Sequence, residues 1–343
     1  MTERPMKRIG DSRMYLAEIV GQEGLHGQRM QAGAILDLMD VLAGRIAFSH
    51  SGSRVATLSF DRVDLIYPIL HQDLIRLEGQ LVRVGNSSMT IEVKGYRKDL
   101  AAREFMPVQR SFITMVAISE VGKSNPNIPG LLYETPEEER IREEVSRRQA
   151  IADRWRAMQE AVDASGPLRA ADVVEELNRD KQEFLTPAET EIELRRQFLP
   201  RHLNALGTIF GGDLLLWMDQ VATYTARHFT RNRNMVTLAM NRIFFKQPIF
   251  SRDLVNVKSR VVYVRRYTLE VEISVSLQRV DGEIVPSHSG YFTVLNYDEA
   301  GFKRPIVTGL RLEDRDQEGL KAYRKAKERH RFWREGQEAS SAD

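Results

Sequence analysis

Apolar residues recur at helical spacing in two places along the chain. The first set is Ile35, Leu36, Leu38, Met39 and Leu42; the second is Leu214, Leu215, Trp217, Met218 and Val221. Each set predicts an amphipathic helix with one apolar face. After each helix the period falls to two. Stretches 55–60, 75–84, 89–93 and 112–118 follow the first, and 236–245, 254–264, 269–277 and 290–295 follow the second. Strict alternation predicts antiparallel strands with one buried face. A turn-like segment at Pro68 or Pro248 interrupts each run, and 14–20 is also strand-like. One apolar helix followed by four such strands predicts an α+β unit, a curved sheet wrapped around a helix.

The two units are copies of each other. At an offset of 180 residues, Thr57-Leu58 matches Thr237-Leu238, Arg62 matches Arg242, Pro68-Ile69 matches Pro248-Ile249, and Asp73-Leu74 matches Asp253-Leu254. Val82, Val84 and Glu92 match Val262, Val264 and Glu272, and Ser88 faces Thr268. Upstream, Gly33 and Met39-Asp40 match Gly212 and Met218-Asp219 at an offset of 179, a slip that falls in the loop after the helix. A register held this long is an internal repeat. The matched apolar faces predict a compact unit with the helices side by side and the sheets continuous.

The segment from Asn204 to Asp219 carries the chemistry. An amide is followed by the pair Gly211-Gly212 and an apolar helix, and Asp219 stands about two turns after Gly212. A glycine-lined helix N-terminus offers backbone N–H groups to an anion or a polarised carbonyl. A carboxylate and a carboxamide near such donors suit acyl-group chemistry. A glycine pair ahead of such a helix also serves close packing alone, and an Asp in a helix is ordinarily solvated.

Composition narrows the choice. The chain has 343 residues, room for two cores, and a net charge of +2, which suggests no nucleic-acid partner. There is no cysteine, which removes disulfides, thiol nucleophiles and Cys-based zinc sites. No apolar run reaches membrane-span length, and no signal or mitochondrial presequence is visible, so a cytoplasmic protein is expected. No Gly-x-Ser-x-Gly elbow, His-Glu-x-x-His pair or Gly-x-Gly-x-x-Gly turn is present, so no metal site is expected. Between the copies, Thr135-Pro136-Glu137-Glu138 starts a charged helix to about 162, Ser165-Gly166-Pro167 breaks it, and 170–179 forms a shorter one. The basic tail, 312–336, reads as a plain exposed helix. The expected division is 1–125 for a divergent first domain, 126–190 for a helical linker, 191–310 for the second domain and 311–343 for the tail.

Gly-Thr-Ile-Phe-Gly-Gly-Asp-Leu-Leu-Leu-Trp-Met-Asp and Phe244-Phe245-Lys246-Gln247-Pro248 resemble the hotdog fold of acyl-CoA thioesterases that fuse two such domains. In the first copy, Gly-Ala-Ile-Leu-Asp-Leu-Met-Asp, Val84-Gly85-Asn86-Ser87-Ser88-Met89, and Phe112-Ile113-Thr114-Met115-Val116-Ala117 leading into Pro136-Glu137-Glu138-Glu139 are similar to the long, mitochondrial-type branch. The resemblance spans nearly the whole chain except the last thirty or so residues. It implies tandem hotdog domains, hydrolysis of fatty acyl-CoA to acid and CoA, no cofactor beyond the CoA of the substrate, no membrane partner, and homo-oligomers, dimers or trimers of the double unit.

The resemblance also implies a site shared between domains, with the Asn and glycine N–H groups from one and the Asp from the other. The first copy has Leu25 where the second has Asn204, Gln31 for Phe210, and Ala32 for Gly211. The intact pairing is therefore Asn204 with Asp40. Asp40 is expected as general base or nucleophile, Asn204 as the group orienting water or carbonyl, and the Gly212 N–H as oxyanion donor. Asp219 is expected as a relic or a weaker second site. Gly211, Thr237, Ser88 and Thr268 are expected to contact substrate, Ser88 and Thr268 at the pantetheine arm. His202 beside Asn204 competes as a base but reads better as a surface residue. The alternative function is a non-catalytic hotdog module that binds acyl-CoA; a hotdog dehydratase needs a His that 211–219 lacks.

Overall fold

The structure, a computed structural model, describes residues 4–340 apart from 23, 100, 120–122, 175–180 and 205, with side chains to residue 332. The first copy contains β1 (Met14–Ile19), α1 (Ala32–Ser51), β2 (Arg54–Phe60), β3 (Val63–Asp64), β4 (Leu74–Val84), β5 (Ser88–Lys98) and β6 (Met106–Ile118). Helix α2 (Pro136–Ala164) follows, with the expected Thr135–Glu138 capping box and Pro136 in the first turn. The second copy repeats the order as β7 (Ile192–Gln197), α3 (Gly211–Thr230), β8 (Met235–Met240), β9 (Ile243–Phe244), β10 (Leu254–Val264), β11 (Thr268–Gln278) and β12 (Ile284–Asn296). Helix α4 (Gln317–Ser340) ends the described chain.

Each copy is a hotdog fold: α1 and α3 bury their apolar stripes in the concave faces of antiparallel sheets. Ile35, Leu36, Met39, Leu42 and Ile46 are buried on α1, and Leu214, Leu215, Met218 and Val221 on α3, in one core that runs through both copies. Full burial of such a side chain stabilises by roughly 1.5–3 kcal/mol. The matched Asp73 and Asp253 each accept the backbone N–H three residues back, at 2.8 Å, which closes the turn after Pro68 and Pro248.

Two expectations change at the joint between the copies. Residues 236–245 read as one strand, but β8 stops at Met240 and Ile243–Phe244 crosses to pair with Phe60 and Ser59 of the first copy. Val63–Asp64 makes the reciprocal crossing, onto Met240 and Ala239. The sheets are thus two six-stranded sheets, ordered β9-β2-β6-β5-β4-β1 and β7-β10-β11-β12-β8-β3, rather than one continuous sheet. Each sheet has one edge covered by two residues of the other copy, which removes an open edge by exchange. Alternation also understated β5, β6 and β12, whose outer ends carry charged side chains such as Lys94, Lys98 and Arg110.

The outer faces are covered by helices. On the first sheet α2 places Val145 against Val82 and Phe112, with Glu144 paired to Arg110 at 2.8 Å. On the second, α4 buries Leu320, Tyr323, Ala326 and Arg329, so the tail is a packed element and not the exposed helix its charge suggested. The linker's shorter helix is a single turn, Ala170–Val173; residues 175–179 of the expected helix lie outside the described residues.

The two central helices meet at their N-termini at backbone distance. A Cβ on Gly33 would stand 2.5 Å from Leu216 Cα, and one on Gly212 2.7 Å from Asp37 Cα. We expect Gly33→Ala to destabilise by about 1–3 kcal/mol through overpacking. Gly44→Ala, farther along α1 with its nearest neighbour 3.9 Å away, should stabilise by about 0.5–1 kcal/mol through helix propensity. Urea unfolding of the two variants measures both signs; equal effects would remove the close approach as the cause.

Candidate active site

The close approach places each helix N-terminus against a buried carboxylate of the other helix. Gly212 N donates to Asp40 Oδ2 at 3.0 Å, and Gly33 N donates to Asp219 Oδ2 at 2.9 Å. The second carboxylate oxygen takes a hydroxyl from the strand that follows the helix in its own copy: Thr57 to Asp40 at 2.7 Å and Thr237 to Asp219 at 2.5 Å. The positive end of each helix faces the negative side chain, a favourable dipole arrangement. Both carboxylates are fully enclosed, at 0% and 1% exposure, which makes their charge costly. Burial pushes Asp40 up to about 7 against the pull of its Thr57 and Gly212 hydrogen bonds, and Asp37 nearby adds to the rise. Burial also raises Asp219, opposed by Thr237, Gly33 and the charge of Arg227.

The two pairs differ in what lies in front of them. At Asp40 the neighbouring residue is Gly211. A side chain there would meet Asp40 Oδ2 at 2.9 Å, and Thr57 Oγ1 and Phe245 Cε1 at 3.4 Å. Gly211 thus packs directly against a carboxylate, a hydroxyl and a ring, with no space for a side chain of its own. Phe245 is held edge-on to buried His288, ring centroids 5.0 Å apart, and burial lowers the His288 pKa to about 4, which keeps it neutral. At Asp219 the corresponding residue is Ala32, which lines the cleft with Thr237, Arg29, Arg227 and Tyr297. The Arg29 guanidinium lies 4.3 Å over the Tyr297 ring. A methyl group and bulky cationic side chains thus line the second cleft.

Other expected site residues are placed differently. Asn204 makes no described hydrogen bond to Asp40: its Oδ1 accepts from Leu206 N at 2.8 Å, Thr208 N at 3.3 Å and Thr208 Oγ1 at 3.1 Å. The amide shapes the loop entering α3, a common use of Asn at a turn. The Gly212 N–H, expected at an oxyanion, is bonded to Asp40. Thr237 holds Asp219. Ser88 and Thr268 begin the second strands of tight hairpins, with Gly85 N to Ser88 O at 2.7 Å and Arg265 N to Thr268 O at 2.8 Å, and Thr268 lines a separate cavity beside α4. His202 is paired with Asp213 at 2.9 Å. Sequence reasoning offered Thr57, with Thr237, as a lining of the acyl pocket and not as a partner of Asp40; the signal for the latter was its match to Thr237 beside two matched aspartates. Asp37, raised to about 6 by burial and then by Asp213, was also missed, because Leu216 stands at the matching position. Among the described residues no cluster of His, Asp and Glu has the geometry of a metal site, and no helix is long and apolar enough to cross a membrane.

A family model described as thioesterase superfamily matches residues 29–102 and 206–281, one match in each copy. The chain is 25% identical over 312 residues to mouse acyl-coenzyme A thioesterase 11, which covers 90% of this chain and 50% of that protein. It thus spans half the length of that relative. It is 26% identical over 306 residues to human acyl-coenzyme A thioesterase 9, mitochondrial, covering 78% of this chain and 67% of that protein. An uncharacterised acyl-CoA thioester hydrolase of Bacillus subtilis is 33% identical over 132 residues, covering 38% of this chain and 73% of the relative. A solved apo-hexameric acyl-CoA thioesterase aligns at 30% identity with a TM-score of 0.41, covering 43% of this chain and 94% of that one. With the motif present twice and a relative above 30% identity matched over most of its length, the chain belongs to the thioesterase superfamily.

Proposed function

We propose that the chain hydrolyses acyl-CoA thioesters at one site formed by Asp40 of the first copy and the N-terminus of α3 in the second. The observation that carries this reading is a fully buried carboxylate, raised to about 7, that is bonded to the helix N-terminus of the other copy and has Gly211, with no side chain, against it. Ionised Asp40 takes a proton from water, and the hydroxide attacks the thioester carbonyl carbon. Direct attack by the carboxylate is the covalent variant of the same step. As Asp40 gains the proton it becomes a poorer acceptor, and the Gly212 N–H turns to the forming oxyanion with the helix dipole behind it. The tetrahedral intermediate collapses with cleavage of the C–S bond. The CoA sulfur takes the proton back from Asp40. Thr57 holds the carboxylate in orientation, and Asn204 holds the loop that delivers Gly211 and Gly212. No metal or cofactor enters the scheme. Assembly of double units into a larger homo-oligomer belongs to the same reading.

Thiol release from a panel of acyl-CoAs tests the activity; a chain that binds acyl-CoA without releasing thiol is a binding module, and the reading fails. Asp40→Asn should lower kcat by about 100- to 10,000-fold, the range for loss of a general base. Asp219→Asn should stay within about threefold of wild type, although the two variants lose a similar structural bond and similar stability. Gly211→Ala, whose methyl would press on Asp40 Oδ2 and Thr57 Oγ1, should cost at least about tenfold in kcat/KM. Loss of activity in Asp219→Asn with Asp40→Asn near wild type would reverse the assignment.

The raised Asp40 pKa gives two opposite pH trends. Activity requires the ionised form, so kcat/KM should rise with pH through about 7. Stability runs the other way. Folding favours the protonated acid, so its contribution is fully present below the unfolded Asp pKa and is lost as pH rises through about 7. Thermal unfolding between pH 5 and 8 should show this decline in wild type and a shallower one in Asp40→Asn. Parallel profiles for the two proteins would place the titration elsewhere.

A further inference from the structure

On the face of the second sheet opposite α3, a cavity of about 120 Å³ opens between β3, β8, β11, β12 and α4. Its lining includes Arg62, Asn241, Arg265, Thr268, Arg329 and His330. One ordered water needs roughly 10–15 Å³ by the same measure, so the cavity has room for a compact polyatomic anion.

Two of its buried side chains have donor atoms without acceptors among the described residues. Asn241 is 8% exposed and Arg329 4%, and Asn241 Nδ2 and Arg329 Nη1 are both unmet. The orientation of the amide is fixed. Its Oδ1 accepts from Arg62 Nη1 at 2.6 Å, and a guanidinium has nothing to accept with, so Nδ2 is the atom left over. Arg329 gives its Nε to Glu270 at 2.9 Å and its Nη2 to the same oxygen, which leaves Nη1. Buried donors without partners are costly, and they mark a place where an acceptor belongs.

The internal repeat supplies the comparison. Asn241 stands where the first copy has Asp61, which pairs with Arg242 at 3.0 Å. Arg265 stands where the first copy has Gly85, and Glu270 where it has Thr90. In the first copy a carboxylate answers the crossing arginine directly. In the second, an amide replaces that carboxylate, an extra arginine is added, and α4 brings Arg329. Within the lining, three arginines face two carboxylates, Asp64 and Glu270, of which Asp64 pairs with Arg62 at 2.7 Å and Glu270 with Arg329.

We propose that this cavity binds the phosphate group of a small ligand, through Asn241 Nδ2, Arg329 Nη1, the Arg265 guanidinium and the Thr268 hydroxyl. Arginine donors and an amide N–H₂ around a closed volume match the several acceptor oxygens of a phosphate better than a neutral ligand. The phosphate has two possible sources, a free phosphorylated anion or a phosphate of CoA. The site lies apart from Asp40 and stands whether or not the chain is a hydrolase.

Isothermal titration of the full chain with inorganic phosphate, at ionic strength matched with chloride, tests the site. Wild type should bind saturably at one site per chain. Asn241→Asp, which restores the acid of the first copy, and Arg265→Gln, at a partly exposed hairpin tip, should each weaken binding at least about tenfold, while Arg231→Gln on the far end of α3 should not. Repeating the titration with saturating CoA separates the sources: abolished phosphate binding assigns the occupant to CoA, and unchanged binding assigns it to a separate phosphorylated ligand. Absence of saturable binding in wild type, or wild-type affinity in both Asn241→Asp and Arg265→Gln, overturns the proposal. Should Asn241→Asp fail to fold, Arg265→Gln carries the test alone.

Discussion

Everything in this molecule is arranged around two hydrogen bonds that cross between the copies. Each central helix begins with an N–H that has no acceptor within its own helix, and each is met by a buried aspartate of the other helix. The carboxylate and the helix end compensate each other only while the helices stay at contact distance. That distance requires Gly33 and Gly212, since any side chain there would enter the facing backbone. Sheet curvature, core packing and strand exchange all serve to keep the two N-termini together.

The same interaction occurs at both helix ends. At Asp219 it is a joint: the carboxylate is bound by Thr237 and Gly33, and Ala32 and the surrounding cationic side chains line its cleft. At Asp40 the joint is the same, with Gly211 packed against the carboxylate. A single methyl, present on Ala32 and missing from Gly211, is the nearest difference between the two surroundings.

Much of this was legible in the chain. The repeat register located both helices and the two aspartates, because apolar periodicity and a fixed offset are one-dimensional signals. Thr57 and Thr237 were visible as a matched pair, but their bonds to Asp40 and Asp219 depend on how the strand lies beside the helix. The crossing at Ile243–Phe244 was not legible, since a two-residue strand in another sheet has the same alternation as a continuation of β8. Asn204 was readable as polar and well placed, yet whether an amide faces a substrate or its own loop is decided by turn geometry. The tail was misread because mixed charge hid the spacing of Leu320, Tyr323 and Ala326, which share one face of α4.

The strand exchange has a consequence for how the chain is made. The edge at Ser59 and Phe60 is completed by Ile243 and Phe244, more than 180 residues later. At about 5–20 residues per second of synthesis, the first copy waits roughly 10 to 40 s with that edge bare and Asp40 without its glycine partner. During that interval the edge is open to any other strand that can pair with it. Helix α2 and the segment after it contribute part of that wait, so the linker between the copies lengthens it as well as spacing the domains.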